Sequence, residues 1–474
     1  MDTYDVIVVG GGPAGEVVAE GTVRSGLTAV VVEADAVGGE CSYRACVPSK
    51  ALLRPGAARA AARSVEGARQ AVTAALDPAR VLARRDRFTG RGDDTGQADW
   101  LEGAGIALVR GHGRLAGERQ VEVTRADGTV RALRARRAVV LCTGTEAALP
   151  PVEGLDGIGV WTSREATTAD VVPERLVVIG GGVVACEMAT AWRSLGSRVT
   201  VLVRGQALLS GWEPCAGEEV TRGLGELGVS IRFGVSPVRV ARDADTRTVS
   251  VSTDDGAVLD CDEVLVAVGR RPRTADLGLA SIGLPAGDWL PVDDTCRVTA
   301  AEGEWLYAVG DVNHRAPLTH MAKYQARACA AAIAERAAGR PAVTGGRQPW
   351  SAEADRVAVP QAVFTRPEVA SVGLTERAAR EAGLTVRTVE YRIDDVAGAA
   401  LHADDYRGLA KLVVDEARGV VVGCTLTGPM ASELIHTATV AIVGEVPLER
   451  LWHAVPAFPT VSEVWLRLLE AYRR

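Results

Sequence analysis

Val6-Ile7-Val8-Val9-Gly10-Gly11-Gly12-Pro13-Ala14-Gly15 sets four consecutive β-branched residues against a Gly-x-Gly-x-x-Gly turn. The apolar run predicts a short strand covered on both faces, as in a parallel sheet. Glu16 to Arg24 then predicts a helix, and Thr28 to Val32 a second strand ending on Glu33. Glycines at 10, 12 and 15 permit a tight turn and close backbone approach, so the helix N-terminus can receive a pyrophosphate. Glu33, 18 residues past Gly15, is placed to accept hydrogen bonds from ribose hydroxyls. Strand, turn, helix, strand and terminal acid together predict an α/β dinucleotide-binding domain.

Outward from that unit, 474 residues leave room for two to three domains, each able to bury its own core. A hydrophobic share of 47% against 24% charged is that of an ordinary globular chain. The net charge of −7 and the absence of any Lys/Arg run exclude nucleic acid as an expected partner. Basic charge is almost all arginine, and Lys50, Lys323 and Lys411 are the only lysines. Nine scattered cysteines without a Cys-x-x-Cys pair argue against a secreted disulfide scaffold and against a metal site. No signal peptide precedes the first strand and no apolar run reaches spanning length, so the expectation is a cytoplasmic protein with no membrane partner.

A second centre lies at Gly38-Gly39-Glu40-Cys41-Ser42-Tyr43-Arg44-Ala45-Cys46-Val47-Pro48-Ser49-Lys50. On a helix entered from the glycine turn, the Cys41-to-Cys46 step puts both sulfurs near one face, within reach of each other if the geometry allows. Gly-Gly-x-Cys-x-x-x-x-Cys-x-Pro-Ser-Lys resembles the redox-active motif of the pyridine nucleotide–disulfide oxidoreductases, the group of dihydrolipoamide dehydrogenase, glutathione reductase and mercuric reductase. The resemblance implies an FAD-dependent NAD(P)H oxidoreductase with a Cys41–Cys46 redox disulfide, Cys46 facing the flavin and Cys41 exchanging with substrate. It implies FAD contacts at Gly39, Lys50, Gly113, Thr143 and Gly144. Cys142, inside an apolar strand, is expected to be structural.

The strand–turn–helix unit recurs at Leu176 to Ala185, with Gly180, Gly182 and Ala185 at the glycine positions. Its partner strand, Val199 to Val203, ends on Arg204. An acid there would hold the two ribose hydroxyls of NAD, whereas an arginine suits the 2′-phosphate of NADP. Ala185 also resembles the NADPH-using members, although Ser210 stands where a second basic residue is expected. The resemblance pairs Lys50 with Glu187 beside the flavin N5, and Gly269 closes the second nucleotide domain. Trp305 to Asp311 resembles the second flavin fingerprint, with Asp311 on the ribityl chain and Thr319 against the cofactor; the neighbouring His320 reads as structural.

The implied fold is α/β: two Rossmann-like domains and a C-terminal α+β dimerisation domain. The FAD domain is expected at 1–148 and 273–345, the NAD(P)H domain at 149–272 and the interface domain at 350–474. Gly339 to Ala358 reads as linker. The last domain would pair two subunits into a homodimer and complete the partner's site.

One departure shapes the function. The family's acid–base histidine belongs to His-Pro-Thr-x-Ser-Glu, and here the stretch is Phe458-Pro459-Thr460-Val461-Ser462-Glu463. Phenylalanine carries no proton, so Glu463 has no imidazole to orient. The chain also ends without the paired-cysteine tail that mercuric reductase uses. These residues predict electron transfer from NADPH, with NADH the less favoured donor, through FAD to a non-standard small-molecule acceptor. Alternatives are a quinone reductase acting directly at the flavin, a disulfide reductase working without the histidine, and a decayed flavin-binding sensor.

Overall fold

A computed structural model describes all residues from Met1 to Arg474. The chain forms two compact units, each gathered from three segments: 1–47, 89–146 and 270–356 make the first, and 48–88, 147–269 and 357–474 the second.

The first unit is built on a seven-stranded sheet. The strand Asp2–Val9 lies parallel between Ala29–Glu33 and Val130–Leu141, with Ala107–Arg110 outside the former and Leu306–Ala308 beside the latter. Gln120–Thr124 and His112–Leu115 extend the sheet as an antiparallel hairpin. Alternation divides the strands between two cores. Val6, Val8, Val31 and Val140 face the helices that carry Ala14, Val18, Ala322 and Ala326, while Ile7, Val9, Val30, Val32 and Leu141 face the other layer. The first helix is Pro13–Arg24, beginning at the proline rather than at Glu16. Proline lacks the N–H that an opening turn leaves unused, so it suits that position.

The second unit holds a four-stranded parallel sheet with Arg175–Ile179 and Arg198–Val203 at its centre. It also holds a five-stranded antiparallel sheet from Gln361–Val363 to Val420–Thr427. Residues 48–88 join this unit because Leu52, Leu53, Val81 and Leu82 pack into one core with Leu176, Met188 and Trp192. Pro55 lies inside the helix Cys46–Arg63 and cannot donate to the Ala51 carbonyl. Arg84 Nη1 fills that acceptor at 3.1 Å.

Two expectations are corrected. Cys41 and Cys46 do not share one helix: Cys41 lies on the short helix Gly39–Tyr43, and Cys46 begins a separate one. The break is at Arg44, whose backbone leaves helical geometry at φ −138° and whose guanidinium is held by Asp35. The segment read as linker from Gly339 is packed at its far end, where Ser351, Ala352 and Asp355 are buried around the short helix Ala354–Val357.

Candidate active site

In the first unit the two glycine stretches build one cradle. Gly10, at φ +105°, brings its Cα so near the Cys142 carbonyl that a Cβ would sit 2.4 Å from that oxygen. Gly39, at φ +59°, passes so close to Gly12 that a Cβ there would lie 2.9 Å from the Gly12 Cα. The N-terminus of Pro13–Arg24 therefore stands bare beside the cysteine segment, as a close-approaching phosphate requires. Glu33 holds the turn: Gly11 N–H donates to its Oε2 at 2.6 Å and Asp35 N–H to its Oε1 at 2.7 Å. Each oxygen keeps a second lone pair for a ribose hydroxyl.

Two buried polar atoms at the cradle have no partner in the chain, Glu16 Oε1 and Thr143 Oγ1. Native interiors rarely leave such groups unpaired unless a ligand meets them. The residues present thus fit a bound dinucleotide of the FAD type. Asp311 follows Gly310 (φ +83°) and accepts from Thr145 Oγ1 at 2.9 Å. Thr145 in turn receives Arg270 Nε at 2.6 Å. Arg270 and Arg273 both clamp Glu40, the residue before Cys41, at 2.5 and 2.8 Å. This web ties the cysteine segment to the second fingerprint. Gly113 is buried, with a would-be Cβ 3.0 Å from Val32, so its visible task is close packing within the sheet.

The sulfurs meet despite the helix break. Cys46 is near enough to be the first influence on the Cys41 thiol, and Thr319 Oγ1 lies 3.3 Å from Cys46 Sγ. The Cys41 thiol is held well above its ordinary range, first by the Cys46 hydrogen bond and then by burial. A hydrogen bond from Thr319 and the charge of Lys323 pull the other way. Cys46 opens an 18-residue helix, where the macrodipole favours negative charge on sulfur. The other seven cysteines are all pushed upward by burial, Cys215 to about 11 and Cys186 and Cys261 to about 12.

In the second unit, Lys50 Nζ and Glu187 Oε2 form an ion pair at 2.7 Å, with the Glu187 side chain 4% exposed. Glu187 Oε1 accepts the Phe364 N–H at 3.0 Å, and the Phe364 ring centroid lies 5.0 Å from Lys50 Nζ. The second glycine turn repeats the first, with Gly180 at φ +129° and a would-be Cβ 2.3 Å from the Ala267 carbonyl. A Cβ at Gly182 or Gly269 would meet open space, and Ala185 is fully buried beneath the turn. Arg204 is exposed just beyond the strand Arg198–Val203. Glu463 is buried, with Oε1 on Arg467 at 2.7 Å and Oε2 unpartnered, while Phe458 is 76% exposed. His320 is exposed at the start of the helix Thr319–Ala337.

Three features escaped the sequence reading. Lys323, one turn beyond Thr319, is the cation felt by both Cys41 and Glu16, and its signal was its rarity in a chain of arginines. The Glu40 clamp gave no local signal, since its arginines come some 230 residues later. Beneath the second fingerprint, Gln325 accepts from Gly310 N–H at 2.8 Å and donates to Asp355 Oδ2 at 2.9 Å. Burial pushes the Asp355 carboxyl up to about 6 against the pull of Arg315.

Residues 4–326 match the family model described as pyridine nucleotide-disulphide oxidoreductase, and residues 359–468 match the dimerisation domain of that family. A dihydrolipoyl dehydrogenase of Haloferax volcanii is 34% identical over 98% of this chain and 95% of its own length. A mercuric reductase of Staphylococcus aureus is 28% identical over 97% of this chain and 81% of its own. Among solved structures, LpdA of Mycobacterium tuberculosis superposes with a TM-score of 0.83 at 26% identity, covering 99% of both chains. The flavoprotein disulfide reductase RclA of Escherichia coli, solved as a Cu(II) complex, gives a TM-score of 0.84 at 22% identity over 99% of both chains, a likeness of fold. No helix is long and apolar enough to cross a membrane.

Proposed function

Because the chain belongs to the pyridine nucleotide–disulphide oxidoreductase family, enzymes that use FAD and a pyridine nucleotide, we propose that it carries electrons from NADPH to the Cys41–Cys46 pair and on to an acceptor reduced without histidine acid–base catalysis. The grouping of Cys41, Cys46 and Thr319 carries this reading: two neighbouring thiols, one 3.3 Å from the Thr319 hydroxyl, beside a dinucleotide cradle. FAD, when bound, supplies the chemistry that couples a two-electron hydride donor to a disulfide.

The chain's own groups have separable tasks. Gly12, Gly39 and the helix N-terminus at Pro13 hold phosphate, and Glu33 the ribose. Thr143, Gly144 and Asp311 would hold the rest of the cofactor. Lys50, one turn beyond Cys46 and fixed by Glu187, is the charge assigned to the hydride-accepting end. Reduction of the pair takes two electrons and breaks the S–S bond. One sulfur leaves as a thiolate at the head of the Cys46–Arg63 helix, and the other takes a proton. Phe458 cannot give that proton, and Lys323 is a cation of the same unit whose charge bears on Cys41. Gly180, Gly182 and Gly269 would receive the nicotinamide dinucleotide, and Arg204 its 2′-phosphate. The dimerisation domain supports a homodimer.

Anaerobic titration of the FAD-loaded protein with NADPH tests the reading. Uptake of about four electrons per subunit, through a thiolate-to-flavin charge-transfer band, is expected. Uptake of about two, with plain flavin bleaching, would make the cysteines bystanders and an acceptor meeting the flavin directly, such as a quinone, the better account.

A further inference from the structure

Within the second unit a cavity of 380 Å³ opens between the helices Cys46–Arg63 and Val183–Ser194. Five arginines line it, Arg59, Arg63, Arg69, Arg193 and Arg366, against one acidic residue, Asp405. The chain as a whole carries −7, so this wall is opposite in sign to the molecule. Three of the arginines are positioned by neutral acceptors. Arg59 Nε donates to the Ala74 carbonyl at 2.9 Å, Arg63 Nη1 to Val72 at 3.2 Å, and Arg193 Nε to Leu227 at 2.7 Å. Carbonyls fix the planes without cancelling the charge. Arg69 is paired, with Asp404 at 3.1 Å and Glu66 at 3.9 Å, and the Arg366 side chain on the same wall forms no ion pair. Leu53, Leu76 and Phe364 give the cavity an apolar floor.

We propose that this cavity is an effector site for a compact organic polyanion, two or more carboxylate or phosphate groups on a small apolar body. Fixed guanidinium forks match those groups in bidentate geometry, and the volume is that of a small-ligand pocket. The same cavity reaches the Lys50–Glu187 pair of this unit. Phe364 forms part of its wall, donates its N–H to Glu187 and lays its ring near Lys50. An occupant that shifts Phe364 alters the Lys50–Glu187 pair, and its effect on the flavin rests on the role assigned to that pair above.

The test is calorimetric titration of the FAD-loaded protein with citrate and, separately, with inorganic pyrophosphate, followed by the flavin spectrum of each mixture. Saturable binding of one probe per subunit is expected, weakened about tenfold or more in Arg366→Gln and in Arg59→Gln. Arg204→Gln, altered at the nucleotide site, is expected to bind the probe as before. Arg366→Gln removes no bond within the chain, so its fold is kept. Response to citrate alone names a carboxylate ligand, and response to pyrophosphate alone a phosphate one. Absence of saturable heat with either probe, binding untouched by both cavity variants, or binding lost in Arg204→Gln would overturn the site. Binding that obeys the variants but leaves the flavin spectrum unchanged keeps the site and removes its link to Lys50. The calorimetric result stands or falls independently of whether the cysteine pair turns over.

Discussion

Phe458 and Glu463 frame the residue-scale question. Glu463 is buried with Oε1 on Arg467 and Oε2 unpartnered, and Phe458 offers that second oxygen no imidazole. Phe458→His is therefore expected to raise turnover with a small disulfide such as oxidised lipoamide, toward the 10²–10⁴-fold, roughly, that a placed acid–base group contributes. No gain in steady-state rate would show that the acceptor step does not wait for a proton. Asp355 gives a second prediction. Its carboxyl is raised from 3.8 to about 6 by burial, with Arg315, Asp294 and Arg356 facing it. A carboxyl raised on folding favours the protonated fold. Its contribution is complete below about pH 4 and is lost as the pH climbs through about 6. Against Asp355→Asn, the native chain should lose on the order of 2–3 kcal/mol between those limits, read by urea unfolding at stepped pH. Equal slopes for both proteins would place the carboxyl's titration elsewhere.

At the scale of elements, the strand Leu409–Asp415 carries Lys411 into a nearly closed ion cluster. Its ammonium meets Glu213 at 3.0 Å, Glu376 at 2.9 Å and Glu390 at 3.7 Å, and Glu213 is 3% exposed. Removing one partner of such a pair leaves a buried charge, a cost of about 3–5 kcal/mol. Lys411→Met should unfold at distinctly lower urea concentration, and Lys411→Met with Glu213→Gln should recover most of the loss. If the double variant is no better than the single, packing rather than charge holds that strand. Elements also mark what the sequence could disclose. The strand–glycine–helix units at Val6 and Leu176 were legible because each signal, an apolar run and a turn needing φ > 0, is local. The break at Arg44 was not legible, since it depends on Asp35, nine residues back and outside the motif. Nor was the burial of Asp355, because Gly345, Gly346 and nearby proline read as linker while its partners Gln325 and Arg315 lie on other segments.

For the whole molecule, the duplicated nucleotide unit and the cysteine pair were readable, and the long-range clamps on Glu40 and the arginine-lined cavity were not. In a chain where arginine is everywhere, no spacing distinguishes the five that share a wall. Choice of reductant is a property at this scale, since it decides which cellular pool feeds both units. Arg204→Gln should raise the KM for NADPH about tenfold or more while leaving that for NADH in place, because only the 2′-phosphate loses a partner. Equal effects on both nucleotides would show that Arg204 does not discriminate between them.

The three lysines have a practical corollary in protein chemistry. Lys411 is buried at 9% side-chain exposure, leaving Lys50, Lys323 and the N-terminus as the amines a reagent can reach. Cyanate, aldehydes and acyl donors, which on most proteins scatter over the outer surface, would here fall on the N-terminus and on two lysines one helical turn beyond Cys46 and Thr319. Amine-coupled immobilisation would tether such a protein through very few points, and peptide mass mapping of a single adduct would tell Lys50 from Lys323 and from the N-terminus.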